Sequence, residues 1–256
     1  MAGTKKKKMS IKKYIPNTIT SLNLLCGILA TASAFGGQLS AAALLIIAGA
    51  VFDFFDGFAA RALGVSGPMG KELDSLADNI SFGLAPAAIW STYIRWHVTG
   101  SLETPIEQMT ATQTALTAAP LILGVFAGLR LAKFNIDTRQ TESFLGLTTT
   151  ATGLFTASLI WMMPGNEEAF RALLTPAAVI AMVVVFCALL VSEIPMFSLK
   201  VKHWTWSGNE LKVILLTIGL ISIVLMGLGG IAVTIALYTI FSIIKALVPS
   251  RKGGEA

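Results

Sequence analysis

Runs of apolar residues, each about 17 to 23 residues long, dominate the chain and are separated by short polar stretches. An α-helix needs about 20 mostly apolar residues to cross ~30 Å of hydrocarbon. The pattern therefore predicts eight such helices, at residues 15–35, 41–61, 74–96, 113–133, 148–164, 172–192, 211–227 and 230–248. This is the pattern of an all-α, polytopic integral membrane protein.

The last two of these helices lie in one almost unbroken apolar run, residues 211–248. As a single helix with a rise of 1.5 Å per residue, this run would be about 57 Å long, which is too long for one bilayer. The sequence Gly227-Leu228-Gly229-Gly230 is typical of a turn and predicts two short helices here.

Composition supports a membrane protein. Hydrophobic residues make up 54% of the chain, charged residues only 13%, and the mean hydropathy is +0.74. A soluble domain has about one quarter charged residues. No polar stretch is long enough to form its own core, so we expect one membrane domain at 15–248, with a basic cytoplasmic arm at 1–14 and a cytoplasmic tail at 249–256.

The net charge of +5 includes the run Lys5-Lys6-Lys7-Lys8, which raises the alternative of a nucleic-acid partner. No basic face interleaved with aromatic residues accompanies it, so we expect no nucleic-acid partner. With the N-terminus inside, 17 of the 19 Lys and Arg residues fall on the cytoplasmic side, and only Arg95 and Arg171 fall outside. The positive-inside rule therefore predicts that both termini are cytoplasmic. We expect the protein in the plasma (inner) membrane.

Four aspartates lie where apolar helices are predicted to meet the cytoplasmic side. Asp53 and Asp56 are three residues apart in the second helix, and Asp74 and Asp78 are four apart in the third, so each pair projects from one helix face. If the helices pack together, the carboxylates converge. Oxygen ligands alone favour hard cations, and two Mg²⁺ or Mn²⁺ ions would balance four negative charges.

Residues between the two pairs suit a phosphate-containing ligand. Arg61 offers a planar fork of donors for a diphosphate. Gly57, Ala60, Gly67 and Gly70 leave space for a ligand to approach the backbone. The alternative, that the aspartates are helix caps, explains Asp74 but not the other three.

The string Asp53-x-x-Asp56-Gly57-x-x-Ala60-Arg61-(x8)-Gly70-x-x-x-Asp74-x-x-x-Asp78 resembles the signature of the CDP-alcohol phosphatidyltransferases. The resemblance implies a membrane enzyme whose four aspartates bind two metal ions, with Asp78 also accepting a proton. It further implies that Gly57 and Arg61 contact the diphosphate of CDP-diacylglycerol, with Ser66 and Gly67 near the phosphate or ribose. A homodimer is also implied.

Flanking segments resemble the phosphatidylserine synthase branch of that family, which implies L-serine as the acceptor. One is the segment around Pro16, Asn17 and Thr20, whose counterparts lie near the cytidine in related enzymes. Two others are residues 74–87 and 130–135. A departure occurs at 148–150, where this chain has three threonines and the branch commonly has prolines at the first and third positions.

An amino-acid acceptor needs partners for its carboxylate and for its ammonium group. Arg130 and Lys133 are cations one turn apart that suit the carboxylate, although ordinary positive-inside anchoring explains them equally well. Neutral hydrogen bonds are predicted from Asn79, Ser81 or Asn135.

Two alternatives remain at this point. A sister enzyme would use glycerol 3-phosphate or an inositol phosphate as the acceptor. The phosphate of such an acceptor would need more cationic side chains than Arg130 and Lys133 provide. A cation channel or transporter would use the aspartates as a permeation site, but this leaves Arg61 and the glycines unexplained.

Overall fold

The computed structural model describes residues 12, 14–65, 67–137, 144–196 and 209–247. Most of the predicted arm, all of the tail and Ser66 lie outside the described residues. The helices are α1 (Tyr14–Phe35), α2 (Leu39–Leu63), α3 (Pro68–Asp78), α4 (Ala85–Thr99), α5 (Ala111–Ala118), α6 (Ile122–Ile136), α7 (Thr149–Trp161), α8 (Glu167–Leu173), α9 (Pro176–Val191), α10 (Glu210–Met226) and α11 (Gly230–Leu247).

Each of the eight predicted segments contains helix, and the differences have local causes. A π-helical turn, Asn79–Leu84, joins α3 to α4, and a 3₁₀ turn, Ala119–Leu121, joins α5 to α6. The helix predicted at 172–192 begins later, at α9, because Thr175 caps its first turn and Pro176 occupies the first helical position.

Within the described residues, four helical stretches are long and apolar enough to cross a membrane: Tyr14–Phe35, Leu39–Leu63, Ala111–Ile136 and Glu210–Leu247. A fifth is obtained if α8 and α9, which meet at a bend of 69°, form one span. The all-α, multi-pass character predicted from the sequence is confirmed.

The turn predicted at Gly227 is present. Gly227 has a φ of 58°, a left-handed value that glycine adopts without steric cost. A Cβ on Gly219 would lie 3.0 Å from the Thr234 side chain, although these residues are 15 positions apart. Helices α10 and α11 therefore fold back on each other as a hairpin.

Close packing at small residues positions the helices that carry the four aspartates. α1 packs against α2, α3 and the π-helical turn. Gly27 of α1 has no room for a Cβ, which would overlap the side chain of Ser81, and a Cβ on Gly153 of α7 would lie 2.9 Å from Phe82. Without a hydrophobic driving force between helices in lipid, such close contacts supply much of the packing energy.

A short antiparallel pairing connects the end of α9 to the segment before α7. The strands β1 (Phe144–Leu145) and β2 (Pro195–Met196) pair, and the Gly146 N–H donates to the Ile194 carbonyl at 2.9 Å. Thr148 then caps the start of α7, because its hydroxyl accepts from the Ala151 N–H. A threonine cap thus starts this helix where prolines are common in the branch that the sequence resembles.

Candidate active site

Three of the four aspartates converge. Asp53 and Asp56 of α2 and Asp74 of α3 each offer a carboxylate oxygen, and these oxygens lie within 4.8 Å of one another. Helix α2 ends at Leu63, and Gly64 follows in a left-handed conformation whose N–H donates to the carbonyls of Ala60 and Arg61.

These three carboxylates fit a hard divalent cation. Asp56 is buried, and its Oδ2 has no hydrogen-bond partner among the described residues. Carboxylates this close repel one another unless a positive charge lies between or beside them. Oxygen-only ligands favour Mg²⁺ or Mn²⁺ over softer metals. The donor set and its unsatisfied oxygen therefore match the predicted metal-binding chemistry.

The fourth aspartate, Asp78, lies one turn beyond Asp74, at the point where α3 passes into the π-helical turn. It does not belong to the group of three within 4.8 Å. Its Oδ1 lies 3.5 Å from the Nδ2 of Asn23, and it interacts electrostatically with Asp53, Asp74 and Arg130. π-helical turns often occur at functional sites, since they redirect the side chains that follow them.

A cavity of about 510 Å³ lies beside the carboxylates, between α1, the end of α2 and the start of α3. Asp56 and Asp74 form part of its wall. Seven residues predicted to contact the nucleotide also line it: Pro16, Asn17, Thr20, Gly57, Ala60, Gly67 and Gly70. The structure thus brings the N-terminal segment and the glycine-rich loop to one cavity that adjoins the acidic group.

Two of the predicted glycines have a visible steric role. A Cβ on Gly57 would lie 3.3 Å from the Nη1 of Arg61, so the guanidinium folds back over this glycine. A Cβ on Gly70 would lie 3.2 Å from the Oδ1 of Asn17. Arg61 itself is exposed and lines a second, smaller cavity next to the first.

Sequence reasoning missed other residues of the cavity wall, including Tyr14, Met69 and Lys71. In the sequence, Lys71 contributes only to the count of cytoplasmic cations. In the structure, its Nζ donates to the carbonyl of Asn135 at 2.9 Å. Tyr14 lies one residue before the predicted first helix, where α1 begins. Its position just before Pro16-Asn17 is the sequence feature that could have indicated a place in the cavity wall.

The residues predicted to bind the acceptor separate into two groups. Arg130 and Asn79 lie on the Asp78 side of the site. Arg130 is buried and its Nη1 donates to the Thr149 hydroxyl at 3.4 Å, and Asn79 packs against Gly128 with its Oδ1 buried and unpartnered among the described residues. Thr149 is a residue that sequence reasoning missed.

The other three predicted acceptor residues already have protein partners. The Ser81 hydroxyl donates to the Asn23 carbonyl at 2.9 Å, and the Asn135 Nδ2 donates to the Ser75 hydroxyl at 2.9 Å. Lys133 forms a salt bridge of 3.1 Å with Glu193, and both side chains are largely solvent-exposed. These contacts connect helices, so an acceptor would have to compete with them.

Comparison with known proteins points to one chemistry. A family model described as CDP-alcohol phosphatidyltransferase matches residues 13–243. Over 141 residues, the chain is 36% identical to a CDP-diacylglycerol–serine O-phosphatidyltransferase of Bacillus subtilis, covering 52% of this chain and 68% of that protein.

Two further relatives bear related names. A protein of Helicobacter pylori with the same name is 28% identical over 235 residues, which cover 91% of this chain and 90% of the relative. An archaetidylserine synthase of Methanothermobacter thermautotrophicus is 32% identical over 145 residues, 55% of each chain.

Metal binding by the acidic group is testable directly. Asp53→Asn and Asp74→Asn should each weaken Mn²⁺ binding at least about tenfold, because each removes a charged ligand oxygen. The measurement is electron paramagnetic resonance titration of purified protein in detergent. Glu72→Gln, an exposed carboxylate two residues from Asp74, is the matched control and should bind like the unaltered protein. Equal affinity in all four proteins would contradict the site.

Proposed function

Because the chain belongs to the CDP-alcohol phosphatidyltransferase family, we propose that it is a CDP-diacylglycerol–serine O-phosphatidyltransferase. The reaction transfers the phosphatidyl group of CDP-diacylglycerol to L-serine and releases CMP. One observation in the structure supports the reaction: the cavity lined by the predicted nucleotide residues shares a wall with the acidic group. The names of the relatives supply serine as the acceptor.

The nucleotide end of CDP-diacylglycerol occupies the cavity. Its cytidine lies near Pro16, Asn17 and Thr20, and its diphosphate lies against Gly57 and Arg61, whose guanidinium pairs with phosphate oxygens. Ala60, Ser66, Gly67 and Gly70 complete the predicted nucleotide contacts. The diacylglycerol tails remain in the apolar layer beside the helices.

Asp53, Asp56, Asp74 and Asp78 would hold two divalent cations, Mg²⁺ or Mn²⁺. Such ions would neutralise the diphosphate and stabilise negative charge on the oxygens of a phosphoryl transfer. Supporting this assignment are the three converging carboxylates and the unpartnered Oδ2 of Asp56.

Asp78 acts as the general base. It accepts the proton of the serine hydroxyl, whose oxygen then attacks the phosphorus that carries diacylglycerol. The bond between this phosphorus and the bridging oxygen breaks, and CMP leaves with that oxygen, while Arg61 balances its charge. Direct attack is favoured because the cluster of ligating side chains found among the described residues consists of aspartates, with no Cys or His nucleophile in it.

The acceptor binds on the Asp78 side of the carboxylates. Arg130, buried and near Asp78, pairs with the serine carboxylate. Asn79 offers its unpartnered Oδ1 to the ammonium group. Ser81, Lys133 and Asn135 already use part of their hydrogen-bonding capacity in contacts with the protein, so we assign them smaller contributions.

A sister enzyme that uses glycerol 3-phosphate or an inositol phosphate is less well supported. A phosphorylated acceptor would need several free cations near Asp78. Of the two candidates, Lys133 is paired with Glu193 and only Arg130 is buried near the carboxylates. A cation channel or transporter leaves the cavity and its fit to the family signature without explanation.

The proposed membrane arrangement has eight spans in a single domain, residues 15–248. Both termini, and with them the arm 1–14 and the tail 249–256, lie in the cytoplasm. The active site faces the cytoplasm from the plasma membrane, where it meets soluble serine. The homodimer stays a prediction from the family resemblance.

An acceptor panel tests the reaction. Purified enzyme with CDP-diacylglycerol and Mg²⁺ or Mn²⁺ should release CMP with L-serine and much less with glycerol 3-phosphate, inositol phosphate or no acceptor. Excess chelator should abolish the release. If the enzyme prefers a phosphorylated acceptor, serine is the wrong acceptor but the family assignment still holds. If CMP release survives chelation, the metal-dependent mechanism is wrong.

Two variants separate the base from a nucleotide contact. Asp78→Asn should lower kcat ~10²-fold or more and leave CDP-diacylglycerol affinity nearly unchanged, because a general base acts in the transition state. Arg61→Ala should weaken CDP-diacylglycerol binding, because its diphosphate contact exists in the ground state as well. Steady-state kinetics and equilibrium binding measure both effects. An Asp78→Asn enzyme with near-normal turnover would leave Asp78 without a catalytic role.

Orientation is tested with single cysteines at Gly67 and Asn166, after Cys26 and Cys187 are replaced by alanine. A membrane-impermeant maleimide should label position 166 on intact cells and position 67 only after permeabilisation, because three proposed spans separate them. Both positions are in connections between helices and are exposed. Labelling of position 67 from outside would overturn the cytoplasmic active site.

A further inference from the structure

Asn23 of α1 is a fully buried amide at the place where α1 packs against α2 and the π-helical turn. An amide in such surroundings is costly unless it forms hydrogen bonds. Its Nδ2 lies 3.5 Å from the Oδ1 of Asp78, and its own Oδ1 has no partner among the described residues. The hydrogen bond to Asp78 is thus the side-chain contact that the structure shows for Asn23. Asn23 belongs neither to the family signature nor to the wall of the cavity.

Two helical segments, α2 and the π-helical turn, pack closely around Asn23. A Cβ on Gly49 of α2 would lie 3.0 Å from the Asn23 Oδ1, so α2 packs tightly against the amide. The Ser81 hydroxyl of the π-helical turn donates to the Asn23 carbonyl at 2.9 Å. Gly27, one turn further along α1, allows Ser81 to approach this closely. These contacts place Asn23 where α1, α2 and the π-helical turn meet, next to Asp78.

We propose that Asn23 is a positioning residue for Asp78. Its amide N–H donates to the Oδ1 of Asp78, which orients the carboxylate and leaves Oδ2 to accept the proton of the acceptor hydroxyl. This inference rests on the proposed function, because it takes Asp78 as the general base. The distance of 3.5 Å is long for such a bond, and hydrogen bonds around a catalytic base commonly shorten when substrates bind.

Location separates this role from substrate binding. Asn23 does not line the cavity that holds the predicted nucleotide contacts, whereas Thr20, one turn earlier on the same helix, does. A residue that touches only the base should affect turnover and not the affinity for CDP-diacylglycerol.

The test combines substitutions of Asn23 and Asp78. Asn23→Leu keeps the approximate shape of the side chain, and Asn23→Ala removes it. Each should lower kcat about 10- to 100-fold, the range for residues that orient a functional group, with CDP-diacylglycerol affinity and Mn²⁺ affinity retained. In an Asp78→Asn background the same substitutions should change kcat by less than about twofold, because the two residues act as one unit.

Thr31→Val is the matched control. Thr31 is on the same helix, and its hydroxyl donates to the Gly27 carbonyl at 2.8 Å without contacting the site. Its kcat should equal that of the unaltered enzyme.

The outcomes distinguish the inference from the function on which it rests. Near-normal turnover of Asp78→Asn alone would remove the proposed base. A slow Asp78→Asn enzyme would keep Asp78 in its role. In that case, Asn23 variants with normal kcat, with equal losses in both backgrounds, or with lost CDP-diacylglycerol binding would overturn the positioning role, since a structural defect would not depend on Asp78.

Discussion

Electrostatic repulsion among carboxylates packed between apolar helices is the constraint on which the site depends. Asp53, Asp56 and Asp74 present oxygens within 4.8 Å of one another, and Asp78 interacts with the same group from one turn deeper. Charges at membrane depth are expensive and need compensation. Among the described residues, the cations Arg61 and Lys71 lie on the cavity side of this group, and Arg130 lies on the Asp78 side. The proposed metal ions would supply the positive charge that these side chains do not.

Small residues make this concentration of polar groups sterically feasible. Gly27, Gly49 and Gly83 each lie so close to a neighbouring segment that a Cβ would approach another atom to 3.0 Å or less. Backbones at this distance allow short polar side chains from different helices to meet, as Ser81 meets Asn23. The same glycines that serve helix packing therefore also bring α1 and α2 against the segment that carries Asp78.

The third helix divides the site into two sides. Asp74 lies in the wall of the nucleotide cavity, whereas Asp78, at the start of the π-helical turn, faces Asn23 and the buried Arg130. This arrangement suits a transfer between two substrates, because donor and acceptor can approach the same carboxylates from different directions. The antiparallel pairing of β1 with β2 holds the start of α7, and therefore Thr149, next to Arg130.

The amino-acid sequence alone determined the all-α, multi-pass character of the chain and the acidic motif. Apolar runs predict helices because a membrane helix must be apolar along its length, and the spacing of Asp53, Asp56, Gly57, Arg61 and Asp74 is local information that needs no fold to be recognised. Only the tertiary structure decided which polar residues outside that signature belong to the site. Asn23, Lys71 and Thr149 are ordinary polar residues in sequence, and their partners are 19 to 64 positions away. Such contacts depend on helix packing, which local patterns do not encode.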